Sequence, residues 1–375
     1  MDEMHPLLDK EKQKQARQYE KEKRLLGLIS LGVSLALLLT FYFSGLSSQL
    51  ANLELDHSMV WTFLIYVFVF CSFMTACGLP LNFYNGYVHE HKWSFSNHTV
   101  KSWFWEQAKS FFVGLIILFI VLGLLLWIMA ESPKWWWLAA AVAMALVSVV
   151  FATLFPVVIA PIFNKYTPIK DRELTEALGA ILSRGGLRSS GFFREDMSRQ
   201  TKKENAFLAG LGKTRRVVLG DNLMDNMSIS EIVSIVAHEV GHYKNRHIWK
   251  NILIGVVQQV IVFFIVNTSL KEIFPEFLTS TRGNLTLFPI FAILLGALSG
   301  FLLGPLNNAL SRSFEKQADK YALESIEDKK PFMTALAGLA DRNLSNAYPE
   351  WWMKHLFYSH PPIGERLKMA DRSSF

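Results

Sequence analysis

Charge is scarce in this chain. Asp, Glu, Lys and Arg make up only 19% of its 375 residues, while 51% are hydrophobic. A soluble domain usually carries about a quarter charged residues, so the balance leans toward a membrane protein. Cysteine is scarcer still, with Cys71 and Cys77 alone and both inside one apolar run. That excludes a disulfide framework, a zinc knuckle and a redox motif, and leaves two small apolar fillers. Internal repeats, low-complexity tracts and nucleic-acid motifs are absent. So is a cleavable signal peptide: the first 24 residues are highly charged, and the apolar run behind them is long enough to span a bilayer.

What the chain has in quantity is long apolar runs. A helix needs about 20 apolar residues to cross the hydrocarbon core. Six stretches qualify, near 25–46, 59–80, 110–130, 135–157, 250–269 and 287–309. Loop charge sets the orientation. The segment 1–24 holds Lys10, Lys12, Lys14, Arg17, Lys21, Lys23 and Arg24, whereas 47–58 has no Lys or Arg. Positive-inside logic places both termini, the 81–109 loop and the 158–249 segment in the cytoplasm, and six spans return the chain to its starting side. The net charge of +6 is therefore membrane topology, not a nucleic-acid footprint.

The chain divides into a charged arm (1–24), four spans with the 81–109 loop (25–157), an α+β segment (158–249), a membrane hairpin (250–309) and a final cytoplasmic segment (310–375). The arm reads as a helical or loosely ordered juxtamembrane segment, a solvated tail more readily than a lipid-binding one. Within 158–249, residues 171–184 have helical periodicity and stop before Gly185-Gly186. Residues 203–209 and 214–220 read as a β-hairpin turning at Gly210–Gly212. Ser228 and Glu231 form a capping box that opens a helix.

That helix carries His238-Glu239-Val240-Gly241-His242. His238 and His242 lie one turn apart on one face, so two imidazoles can bind one Zn²⁺ at about 2.0–2.1 Å. Glu239 sits around the helix from that axis, within reach of a zinc-activated water without being a ligand. Ala237 and Gly241 are small enough to admit another backbone. An ordinary helix with incidental histidines is the competing reading.

A catalytic zinc needs a third protein ligand. A histidine ten residues after the first is one solution, but Ile248 stands there and Asn245 replaces the glycine expected before it. His247, one residue off, reads as a surface or interface residue. A glutamate from a second helix is another solution. The stretch SRSFEKQADKYAL at 311–323 offers Glu315, with Asp319 four residues on to hold a ligand histidine from behind. Exposed charge on an amphipathic helix is the bland alternative for each. Topology favours the metal: His238 precedes the fifth span and Glu315 follows the sixth, so a membrane hairpin returns one to the other.

HEVGH, SRSFEKQAD and YSHPPIGERL (358–367), in this order, resemble the type I CAAX prenyl protease family and its HtpX-like membrane zinc protease relatives. GLPLNFYNGYVHEHKWSFSN (78–97), IAPIFNKYTPI (159–169), NAF (205–207) and RRVVLGDNL (215–223) are similar to the CAAX branch. The resemblance implies a predominantly α, multi-pass membrane protein with a small α+β gluzincin-type protease domain packed on its helices. It implies one zinc held by His238, His242 and Glu315, with Glu239 as general base and Asp319 orienting a ligand. It implies that His360 stabilises the oxyanion or holds substrate. It places Arg366 nearby, supporting the site or facing the substrate's carboxyl end, and makes Asn205-Ala206-Phe207 an edge strand for the peptide. Members also enclose a water-filled chamber. Gln258, Gln259, Asn307 and Asn308 inside spans fit faces toward protein or water. The chain departs from eukaryotic members in having six spans instead of seven, and Glu204 where their serine precedes Asn-Ala.

The expected protein is therefore a zinc metalloendopeptidase that cuts peptides or membrane proteins at the cytoplasmic face. Its partners are the lipid bilayer and a peptide or protein substrate, prenylated or not. The short form points to a prokaryotic cell membrane, with the endoplasmic reticulum membrane as the alternative. A true CAAX processor that removes the last three residues of prenylated proteins is the second reading. A transporter or scaffold with a structural metal site is the third.

Overall fold

The structure, a computed structural model, describes residues 4–54, 59–210 and 215–373. Five helices are long and apolar enough to cross a membrane: Lys10–Phe43, Met59–Lys92, Val100–Glu131, Trp136–Phe163 and His247–Ile273. A bent pair, Phe288–Leu302 and Gly304–Ser325, meeting at 46°, is apolar enough when taken together and makes a sixth span where its two pieces are read as one. The expected span 287–309 thus neither runs straight nor ends at 309. The π-turn Leu298–Leu302 and Pro305, which has no N–H to give the preceding turn, account for the bend. Beyond it the same helix carries Glu315 out of the apolar region.

Spans two and four are longer than expected for a related reason. Each passes through a π-turn, Tyr84–Val88 and Phe155–Ile159, near Pro80 and Pro156, and then resumes as a helix. The spans pack around an aromatic-rich core holding Phe41, Tyr66, Phe70, Trp136, Phe263 and Phe291. Inside it the buried Trp136 indole N–H donates to Asn267 Oδ1 at 2.8 Å. Ile116, Ile120, Leu146, Val150, Leu253 and Phe264 remain exposed on the spans, as helices bathed in lipid require. Gln258 Nε2 donates to Asn307 Oδ1 at 2.7 Å, tying span five to span six. Cys71 and Cys77 are free thiols.

The second core belongs to the α+β part. Its four-stranded sheet has the order β1-β2-β4-β3, with β1 Tyr166–Pro168, β2 Phe192–Glu195, β3 Ala206–Ala209 and β4 Arg216–Gly220. β3 pairs antiparallel with β4, while β2 and β4 run parallel. The hairpin reading is met by the β3–β4 pair, except that Gly212 in its turn lies outside the described residues. Helix Arg172–Arg184 is capped by Asp171, and helix Ile229–Lys244 by the reciprocal Ser228–Glu231 box. Leu174, Leu178, Val217, Leu219, Val236 and Leu336 fill the space between sheet and helices.

The N-terminal arm is not a solvated tail. It is the leading half of the first helix, started by Asp9, whose carboxylate accepts from the Lys12 N–H. Thirty-four residues at about 1.5 Å each make a rod of about 50 Å, longer than the roughly 30 Å hydrocarbon core. The surplus lies against the α+β part and the C-terminal segment. Gln13 is buried, donates to Asp341 Oδ1 and accepts from the Ala347 N–H. Tyr19 is buried too, and its hydroxyl donates to Glu90, which is paired with Lys203 just before β3.

Candidate metal centre

Two helices cross backbone to backbone to build the centre. A β-carbon added at Gly241 would stand 2.8 Å from Ala318 Cα and 2.9 Å from Ala318 O. No larger residue permits that approach, which sets Glu315 and Asp319 against His238 and His242. His238 Nε2 lies 3.1 Å from Glu315 Oε2, and His242 Nε2 lies 3.3 Å from Glu315 Oε1. The two histidine Nε2 atoms are 3.2 Å apart. Among the described residues, these three side chains form the group of His, Cys, Asp and Glu donors able to share a metal ion.

The distances fit a metal. Donors about 2.0–2.1 Å from one zinc at tetrahedral angles stand about 3.3 Å apart. Glu315 Oε2 is buried and has no hydrogen-bond partner despite its proximity to His238. Its geometry is that of an atom converging on a shared point, not of one pairing with an imidazole.

The surrounding residues fix the donors. His238 Nδ1–H donates to Asp319 Oδ1 at 2.8 Å, which leaves Nε2 facing the shared point. Asp319 is fully buried and is gripped by Arg366 through Nε at 2.8 Å and Nη2 at 2.5 Å. Burial works against the His238 imidazolium, but the Asp319 and Glu315 carboxylates outweigh it and push its pKa up to about 9. Burial opposes the Arg366 charge as well, and Asp319 more than restores it. Of the two roles the resemblance left for Arg366, its contacts are those of support.

Glu239, the next residue along the helix, lines one cavity with His238 and Glu315. Burial raises its carboxyl above the usual carboxylate range, and the Leu208 backbone N–H donates to it. This contact joins Glu239 to β3, the edge strand. Gly220 N–H donates to Asn205 O at 2.9 Å, so alternation turns the backbone groups of Ala206 and Leu208 away from β4. Phe207, between them, has its backbone turned toward β4 and is half-buried. A cavity of about 220 Å³ lies beside Glu239 and reaches Asn205, Ala206, His360 and Arg366. His360 stands at its mouth, largely exposed, with Nε2 3.2 Å from Glu315 Oε1.

Sequence reasoning missed part of this arrangement. Leu223, Ile235, Phe332, Leu336 and Leu339 line the cavity but read in sequence as ordinary core residues. Glu204 pairs with Arg342 Nε at 2.5 Å and accepts from Asn226, contacts that no spacing announces. Of the surface and interface readings of His247, the structure takes the second: it is buried between helices, with Nδ1 3.0 Å from His242 Nδ1. A reverse turn through Arg246 in the left-handed region (φ 56°) swings it back, and nothing in the residue pattern signals that turn.

Multi-pass helices, an α+β domain seated at their end and a His-His-Glu donor set define a membrane metallopeptidase. Residues 2–165 match the family profile described as CAAX prenyl protease N-terminal, five membrane helices, and residues 168–374 match that of Peptidase family M48. The chain belongs to peptidase family M48. Its N-terminal part has four apolar helices long enough to cross a membrane among the described residues, one fewer than that profile's description. It is 28% identical to the uncharacterized metalloprotease YhfN of Bacillus subtilis, over 95% of this chain and 85% of that protein. It is 31% identical to CAAX prenyl protease 1 of Saccharomyces cerevisiae, over 82% and 72% respectively. The crystal structure of S. mikatae Ste24p superposes with a TM-score of 0.85 at 26% identity, covering 98% of this chain and 90% of that one.

Proposed function

We propose that this membrane metallopeptidase is a zinc endopeptidase that hydrolyses peptide bonds at the cytoplasmic face. The convergence of His238, His242 and Glu315 donor atoms at 3.1–3.3 Å, with Glu239 on the same helix held by the Leu208 amide of the edge strand, carries the reading. Zinc held by those three residues supplies a water of lowered pKa and polarises the scissile carbonyl. An extended peptide adds to the outer edge of β3, pairing with the outward backbone groups of Ala206, while Asn205 and Phe207 flank it. The neighbouring cavity, apolar on the side of Leu223, Ile235, Phe332, Leu336 and Leu339 and polar on the side of Glu204, Asn205 and Asn343, takes a substrate side chain next to the scissile bond. Glu239 accepts the proton of the attacking water and passes it to the departing amine. Its raised pKa suits both halves of that transfer. His360, at the mouth, donates to the oxyanion, and Asp319 and Arg366 hold His238 in register.

Glu239→Gln tests the mechanism. Peptide hydrolysis is expected to fall about 10²–10⁴-fold with one zinc per chain retained. Wild-type turnover in that variant would remove Glu239 from the mechanism. The yeast relative and the Ste24p structure favour a narrower reading, removal of the last three residues of a prenylated CAAX protein. Paired farnesylated and unmodified peptides decide between the two. Strict dependence on the prenyl group supports the narrower reading, and equal cleavage supports general proteolysis.

A further inference from the structure

His247 has no part in the chemistry above, yet it is packed into the centre. Helix Ile229–Lys244 ends, Arg246 reverses the chain, and His247 opens the fifth span. Its ring stacks on Phe314 with centroids 4.3 Å apart and planes 14° apart. Its Nδ1 faces His242 Nδ1 at 3.0 Å, and its Nε2 lies 3.3 Å from Gln317 Oε1. Phe314 and Gln317 lie on either side of Glu315 along one helix. His247 therefore touches the second histidine of the centre and the helix that supplies its carboxylate.

Proton counting gives these contacts a direction. His242 turns Nε2 toward His238 and Glu315; with zinc on that nitrogen, a neutral His242 carries its hydrogen on Nδ1. The atom facing that hydrogen is His247 Nδ1, which must accept. His247 then carries its own hydrogen on Nε2, and Gln317 Oε1 accepts it. Each nitrogen in the chain His242–His247–Gln317 has one role, and none conflicts.

We propose that His247 is a positioning residue for the metal, fixing the tautomer and ring plane of His242, with Gln317 fixing His247 in turn. The inference rests on the zinc reading above. It makes the two histidine ligands unequal. His238 is backed by a carboxylate locked to Arg366, whereas His242 is backed by a neutral imidazole that belongs to a membrane span. The span thereby takes part in holding the metal.

The test is zinc affinity, measured by chelator competition on the purified full chain in detergent. His247→Leu keeps an apolar side chain in the site and removes the acceptor. A 10–100-fold loss of affinity is expected, the usual cost of removing a partner of a ligand histidine. His247→Asn places Oδ1 near the former Nδ1 and recovers most of that loss, although it abolishes the stacking on Phe314. A purely structural role predicts the opposite, with Leu the milder change. Gln317 is only half-buried, so Gln317→Leu leaves the fold intact and weakens zinc a few-fold through the same chain. Wild-type affinity in His247→Leu or in Gln317→Leu, or equal losses in His247→Leu and His247→Asn, overturns the proposal. Absence of zinc from the wild-type protein would overturn the zinc reading itself, a result separable from any of these.

Discussion

Asp319 shows how much one buried side chain is asked to do. It accepts from His238 and from two nitrogens of Arg366 while wholly removed from solvent. Removing one partner of such a pair strands a charge, which costs far more than the pair contributes intact. Arg366→Met is therefore expected to lower stability by about 3–5 kcal/mol, read as earlier thermal unfolding of the metal-free protein in detergent. The same carboxylates give metal binding a pH dependence. With its pKa pushed up to about 9, the metal-free His238 is protonated at neutral pH, and zinc must displace that proton. Affinity is expected to rise about tenfold per pH unit on approaching 9 from below, and to level off above it. Chelator-competition curves between pH 6 and 10 would show this, and a flat profile would mean that Asp319 and Glu315 do not hold the imidazolium.

At the scale of elements, the decisive feature is the crossing at Gly241 and Ala318. A methyl group at Gly241 meets backbone, which cannot move aside as a flexible side chain would. Gly241→Ala is expected to cost about 1–3 kcal/mol through overpacking, and to weaken zinc binding because the helices part. Gly255→Ala on the fifth span, where the added carbon meets nothing within 4 Å, is the control and is expected to leave both readings unchanged. The elements themselves were largely legible. Apolar length announced the spans, and the Ser228–Glu231 box announced the HExxH helix. The bend in the sixth span, the π-turns and strands β1 and β2 were not. A π-turn has no residue signature beyond a nearby proline, and a three- or four-residue strand is too short to show a period.

Among the described residues, two large cores are joined by shared helices, with a small third cluster of Ala16, Tyr19, Phe95 and Leu344 beside the first helix. The first helix runs from the lipid-facing core into the protease part, the fifth begins at the metal and crosses back, and the sixth bends and delivers Glu315. Loop charge predicts that this junction lies in the cytoplasm. A reporter active only outside the cytoplasm is expected to be silent when fused at the C-terminus and active when inserted between the third and fourth spans. The reverse pattern would place the protease part on the other face. At this scale the leading half of the first helix also lies along the protease part, with Gln13 and Tyr19 as contacts.

By itself the sequence determined that the chain is a multi-pass helical protein and offered the donors of the centre, because both are local. A span is a length of apolar chain, and two histidines four apart share a helix face wherever that helix goes. It also named Glu315, since a membrane hairpin leaves its two ends on one side. The tertiary structure alone decided what surrounds those residues. The clamp of Arg366 on Asp319, the contact of His247 with His242, the Leu208 amide on Glu239 and the cavity beside it all join residues through packing. Packing depends on crossing angles and reverse turns, such as those at Ala318 and Arg246, that residue spacing does not encode.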